Sequence, residues 1–196
     1  MNRQYDISGF DRLRAGTIVE TALYILNSAG ALDRYHLCKV MYFAERAYIA
    51  KWGSPMTDEV YCALKYGPVP SHLYDAIKDD QNNISEFARY IAYLFWDAVS
   101  KGDEKDDTQG LLFPKRKADT SYLSKAAIEA LDEAVSKYAG ESFNTLKNIS
   151  HNGIDWRNAW KKTGLKVLSI LDMAESGNAS KGILELISDG EEPAFC

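Results

Sequence analysis

Between Asp33 and Trp52 no Gly or Pro interrupts the chain, and apolar residues recur at helical spacing. Leu37, Val40, Met41, Ala44, Ala47 and Tyr48 fall within one arc at about 100° per residue, which predicts a helix with this face in the core. The opposite arc carries Tyr35, Lys39, Tyr42, Arg46 and Ile49, aromatic rings mixed with cations. A helix patterned in this way is expected to be covered on both sides. Gly53 supplies its stop. Residues 60–66 are apolar and aromatic up to Lys65 and predict a short strand, which Gly67 and Pro68 punctuate. Ser71 is the expected cap of a helix running to Ile77.

The flanking segments follow the same logic. A helix over residues 11–29 takes its apolar side from Ile18, Val19, Ala22, Leu23, Ile25 and Leu26, and its short link to the next helix predicts a helical hairpin. Residues 83–100 predict a third long helix, and the polar, charged stretch 101–110 predicts a solvated loop. Leu111, Leu112 and Phe113 predict a second strand, expected to pair with 60–66. Two strands beside helices give a layout that is winged-helix-like in part. Caps within 119–124 introduce a helix over 125–139 that Gly140 closes, and Ser142 caps another to about Ile149. His151 to Trp160 then turns out of that helix, with Trp156 and Trp160 expected to pack inward. The tail holds an apolar run, Val167 to Leu171, and a helix from about Ser180 to Ile187. The fold class expected is mainly α with a small antiparallel β-ribbon. We expect one compact domain over 1–196, with a core of about 15–165 and a helical appendage over 166–190.

Composition narrows the function classes. With 23 Lys and Arg against 28 Asp and Glu, the net charge is −5, which argues against a general phosphate-backbone binder despite the local triplet Lys115-Arg116-Lys117. No apolar run reaches membrane-span length, and the N-terminus lacks the apolar centre of a signal peptide. The three cysteines, Cys38, Cys62 and Cys196, have no close spacing and read as reduced thiols of a cytoplasmic protein. Three histidines without a C-x-x-C pair argue against structural zinc, so neither metal nor cofactor is expected.

The search for chemistry is short. His151 and Asp155 at i, i+4 have the spacing of a pair that orients a general base. No nucleophile signature accompanies them, and the favoured alternative is a His that ties a loop to the core beside Trp156. No phosphate loop, dinucleotide fingerprint or zinc-protease helix is present, so no catalytic residue is assigned. The Gly67–Pro68 corner reads equally as a fold-defining turn and as a binding element. Lys39, Tyr42, Lys65 and Tyr66 converge near it. Cations beside rings either hold an acidic or aromatic group of a partner or stack within the protein.

Lys39-x-x-Tyr42-Phe43, Gly53-Ser54-Pro55 and the run Ala63 to Pro70 with Tyr74 downstream resemble the Panacea domain, the family that includes SocA-like antitoxins. Ser142-Phe143-x-x-Leu146, Ser150-His151 and Trp156 are similar to its later signature, so the resemblance covers roughly 15 to 165. Leu64 departs from it, since that position is often Trp. The resemblance implies an antitoxin that neutralises a co-encoded toxin by direct binding. The alternatives are an adaptor that delivers the toxin to a protease and a DNA-binding regulator, with nucleic acid and membrane disfavoured as partners. The expected partner surface is the face bearing Tyr35, Lys39, Tyr42 and Arg46, with Lys65, Tyr66, Gly67, Pro68 and Val69 of the corner and Tyr74 beyond it. His151 and Trp156 are expected to be structural.

Overall fold

The computed structural model describes residues 5–78, 84–102 and 110–190. Helix α1 (Gly9–Ala29) starts where Ser8 accepts a hydrogen bond from the Asp11 N–H. Helix α2 (Arg34–Trp52) starts at Asp33, whose carboxylate accepts from the His36 N–H. It stops at Gly53, a left-handed residue whose N–H bonds to Ile49 O. Between them lies β1 (Leu32–Asp33).

Helix α2 is the axis of the molecule. On one side Leu37, Val40, Met41 and Ala44 pack with Ile18, Leu23 and Leu26 of α1. On the other, Tyr42, Phe43 and Ile49 join Tyr61, Leu146 and Met173 in a second cluster. The helix is covered on both sides, as its two arcs imply. Its last turns differ from expectation: Ala47 is exposed and Tyr48 half-buried. Ala47 opens onto a cleft left between α2, α5 (Lys125–Tyr138) and the end of α8 (Ile170–Ser176).

Strand pairing departs most from the sequence reading. Strand β2 (Tyr61–Leu64) pairs antiparallel with β3 (Gly67–Pro70), from Tyr61↔Pro70 to Leu64↔Gly67. Strand β5 (Leu111–Pro114) instead lies between β1 and β4 (Val99–Lys101). The expected ribbon of 60–66 with 111–113, on which the winged-helix-like layout rested, is replaced by two separate sheets. A two-residue turn at Lys65 and Tyr66 lets β2 close on the residues just after it, and short loops are the least unfavourable to close. Residues 99 and 100, expected to end the helix, and Lys101, expected in the loop, instead form β4, because α4 (Glu86–Ala98) ends at Ala98. Asn83, Cys196 and the acidic pairs of the charged loop lie outside the described residues.

Helix α3 (Ser71–Ile77) is capped from elsewhere. Ser71 is its first residue, and the cap position, Pro70, makes no side-chain bond. The buried Glu59 carboxylate accepts from the N–H groups of His72 and Leu73 in its place. Glu45 works similarly one loop earlier, accepting from Met56 N at 2.7 Å and Thr57 Oγ1 at 2.6 Å. Helix α6 (Phe143–Asn152) is capped by Ser142 as expected, but it continues through His151; Gly153 separates it from α7 (Ile154–Lys161). The tail is part of the core, with Leu168, Met173, Ala174 and Ile187 buried in the second cluster, Ile187 from α9 (Lys181–Gly190). No helix among the described residues is long and apolar enough to cross a membrane.

Candidate functional site

The site grows from the β2–β3 turn. Neither Lys65 nor Tyr66 has a positive φ, so the left-handed step falls on Gly67, at φ 100°. A Cβ there would strike Ser150 Oγ and lie 2.9 Å from Lys39 Nζ, so only glycine fits. Lys39 has no exposed surface; its ammonium donates to Pro68 O at 2.5 Å and stands 5.1 Å from the centre of the Tyr35 ring. No carboxylate pairs with it among the described residues. Burial pushes its pKa down to about 7, with the Cys38 thiolate form acting weakly in the other direction.

This depressed pKa fixes a pH dependence. The unfolded chain binds the Lys39 proton more tightly than the folded one, since burial disfavours only the charged form. Stability linked to this group is therefore complete above the ordinary lysine pKa of 10.5 and is lost as pH falls toward 7. Urea titrations between pH 7 and pH 9 should show stability rising, with a Lys39 contribution of up to about 1.4 kcal/mol per pH unit. Lys39→Met should flatten that slope; an unchanged slope would show that the ammonium is not desolvated.

Tyr42 is fully buried behind the same helix face. Its hydroxyl donates to Asp155 Oδ2 at 2.5 Å and accepts from Arg46 Nη1 at 3.3 Å. Burial drives the phenol pKa well above its usual value. Asp155 Oδ1 accepts from Ser176 Oγ and from the Trp156 N–H, both at 2.8 Å. The His151–Asp155 pair that the spacing allows, though not the favoured reading, is therefore absent among the described residues. The helix breaks at Gly153, so i, i+4 spacing does not align the two side chains, and Asp155 turns into the core. His151 stacks on Trp156 with centroids 3.7 Å apart and planes 8° from parallel, and its Nε2 has no hydrogen-bond partner among the described residues.

The ten residues expected to meet a partner thus separate into layers. Lys39, Tyr42, Gly67, Pro68 and Val69 are buried, so they support the surface without forming it. Tyr35, Arg46 and Tyr74 are half-buried, and Lys65 and Tyr66 are exposed. Arg46 lies over the Tyr42 and Phe43 rings and lines the cleft of about 230 Å³ between α2, α5 and the end of α8. The Tyr74 ring has Arg34 and Lys78 over it, 5.2 and 4.5 Å from its centre.

The turn gathers residues that were not expected at the partner surface. Phe143, 39% exposed, stands 5.4 Å from Tyr66 and 4.3 Å from Tyr35, ring centre to ring centre, and its carbonyl accepts from the Tyr35 hydroxyl. Trp156 donates its indole N–H to Leu64 O at 3.0 Å and stacks on Trp160 at 5.3 Å. Trp160 was expected inside but is 39% exposed, because Asp155 and Ala159 form the row of α7 that faces the core. Residues 166–168 run beside β2, with Ala63 N donating to Lys166 O and Leu168 N to Tyr61 O. Lys166 Nζ lies 4.2 Å from the Trp160 ring centre.

The family model described as the SocA-like antitoxin, Panacea domain, matches residues 37–157. The chain belongs to this family. The Panacea match starts in α2 and ends in α7, so it contains Lys39, the Gly67 corner, Phe143 and Trp156. It leaves out α1, α8 and α9, which complete the cover of α2. No curated protein and no solved structure matches the chain. Among the described residues no group of His, Cys, Asp and Glu is placed to hold a metal ion.

Proposed function

We propose that this Panacea-domain protein neutralises a co-encoded toxin by binding it directly, with Tyr66 and Phe143 at the centre of the contact. One observation carries the reading. Two large aromatic side chains, 47% and 39% exposed, meet ring to ring on a turn whose underside is fixed by a fully buried lysine. Interface energy concentrates in aromatic anchors of this kind, and a turn already held in shape loses little freedom on binding. Lys39, Tyr42 and Gly67 then act as supports that set where Lys65 and Tyr66 stand.

The test pairs the purified chain with the product of the adjacent reading frame, in growth rescue and in an affinity measurement free of any protease. Tyr66→Ala/Phe143→Ala is expected to weaken binding on the order of 30-fold or more, with little change in melting temperature. Undiminished affinity would move the contact elsewhere. Neutralisation that appears only when a protease is added would replace direct binding by delivery, and no rescue by the wild-type protein would remove the antitoxin reading itself.

A further inference from the structure

We infer that the contact surface continues from Tyr66 across α7 as a strip of stacked rings and cations that receives an acidic face of a protein partner. The inference takes from the antitoxin reading only the identity of that partner, the toxin. Residues 142–166 hold five cations, Lys147, Arg157, Lys161, Lys162 and Lys166, and one carboxylate, Asp155. Asp155 is wholly buried and bonded to Tyr42 and Ser176, so it neutralises nothing at the surface. A chain with net charge −5 thus carries a segment whose accessible formal charges are all positive.

The cations are organised around the rings. Lys166 and Lys162 donate to the carbonyls of Trp160 and Val167, neutral acceptors that leave both charges uncompensated. Arg157 and Lys161 stand at i, i+4 on α7, one row round from Trp156 and Trp160. Both are exposed, and among the described residues neither has an ion pair. Leu64, 36% exposed, joins the Tyr66–Phe143 pair to this strip through the Trp156 indole bond. Apolar anchors flanked by unpaired cations match a face that presents carboxylates around an apolar centre, and such complementarity steers encounter and fixes register.

The stacking favours a protein over a nucleic acid. His151 stacks on Trp156, Trp156 on Trp160, and Lys166 lies over Trp160, so ring faces are already occupied within the protein. Single-stranded nucleic acid is held on open ring faces in a groove that tracks phosphates, and the net negative charge of the remainder of the molecule opposes a long phosphate backbone.

The experiment pans the full-length chain against a displayed random dodecapeptide library, then titrates synthetic copies of the selected peptides by fluorescence anisotropy. Selected peptides are expected to combine several Asp or Glu residues with a large apolar one. They should bind Arg157→Glu/Lys161→Glu at least about tenfold more weakly and lose affinity as salt rises. Peptides without acidic enrichment, or peptides that bind the reversed variant equally well, overturn the inference. So does an oligothymidylate that binds the wild-type chain more tightly than the peptides. If the reversed variant loses its helical circular dichroism, Arg157→Gln/Lys161→Gln replaces it and must show the same direction of loss. Failure of wild-type growth rescue counts against the antitoxin reading alone, and the peptide titration decides the strip in either case.

Discussion

Lys39→Glu is expected to unfold the protein rather than yield a folded molecule that has lost its partner. The side chain has no exposed surface, and among the described residues its only hydrogen bond is to the carbonyl of Pro68. A carboxylate placed there would face that carbonyl, an acceptor that repels it, and it could not relax outward through Gly67 and Ser150. An uncompensated buried charge costs about 3–5 kcal/mol, a large part of the 5–15 kcal/mol that a domain typically has. Lys39→Met is the informative companion. It loses one hydrogen bond of about 1 kcal/mol but removes an amine that must be desolvated, so its melting temperature should stay close to that of the wild type. Thermal melts followed by circular dichroism check both. A Lys39→Glu protein that melts like the wild type would mean that solvent reaches this side chain, and it would return Lys39 to the partner surface.

Gly67→Ala should be the second most damaging single change. Its φ of 100° lies where a Cβ is disfavoured, a strain on the order of 1–3 kcal/mol. The added methyl would also overlap Ser150 Oγ and crowd Lys39 Nζ, so α2, the turn and α6 must shift together. Destabilisation beyond about 2 kcal/mol is expected, with a loss of partner affinity because Lys65 and Tyr66 move with the turn. Pro68→Ala should lose less, on the order of 1 kcal/mol or below, mainly by freeing the unfolded chain. Lys181→Ala, at a side chain 90% exposed on α9, serves as the control. If Gly67→Ala matches that control in both stability and affinity, the corner neither organises nor binds.

Features set by near neighbours in the chain were legible in the sequence. The stop at Gly53 and the cap at Ser142 depend on residues within one turn, and both stand where the pattern puts them. The double cover of α2 was legible because two arcs with different chemistry left no face for solvent. Strand partners were not legible, since the pattern of 60–66 suits several neighbours equally. Strand β5 pairs on one side with β1, far before it in the chain, and on the other with β4, which was expected to be mostly helical. Lys39 shows the limit most clearly. A lysine on an amphipathic arc has the same spacing whether it meets water or a carbonyl 29 residues away. Trp160 misled for a related reason: the spacing of the two tryptophans puts them on one face but does not say which face the core takes.

The side of β3 that pairs with no strand bears on how any other chain can approach. In the register with β2, Gly67 and Val69 turn their N–H groups toward that strand, so the outward positions fall to Pro68 and Pro70. Proline has no N–H, and the Pro68 carbonyl is already engaged by Lys39. The opposite side of β2 is covered by residues 166–168. An incoming strand would find no donor to pair with on one side and a backbone already seated on the other, so sheet extension, including the edge-to-edge kind that leads to aggregation, is blocked here. If the proposed contact forms here, recognition is left to side chains. Its selectivity can therefore be retuned one surface residue at a time, while the backbone beneath stays fixed.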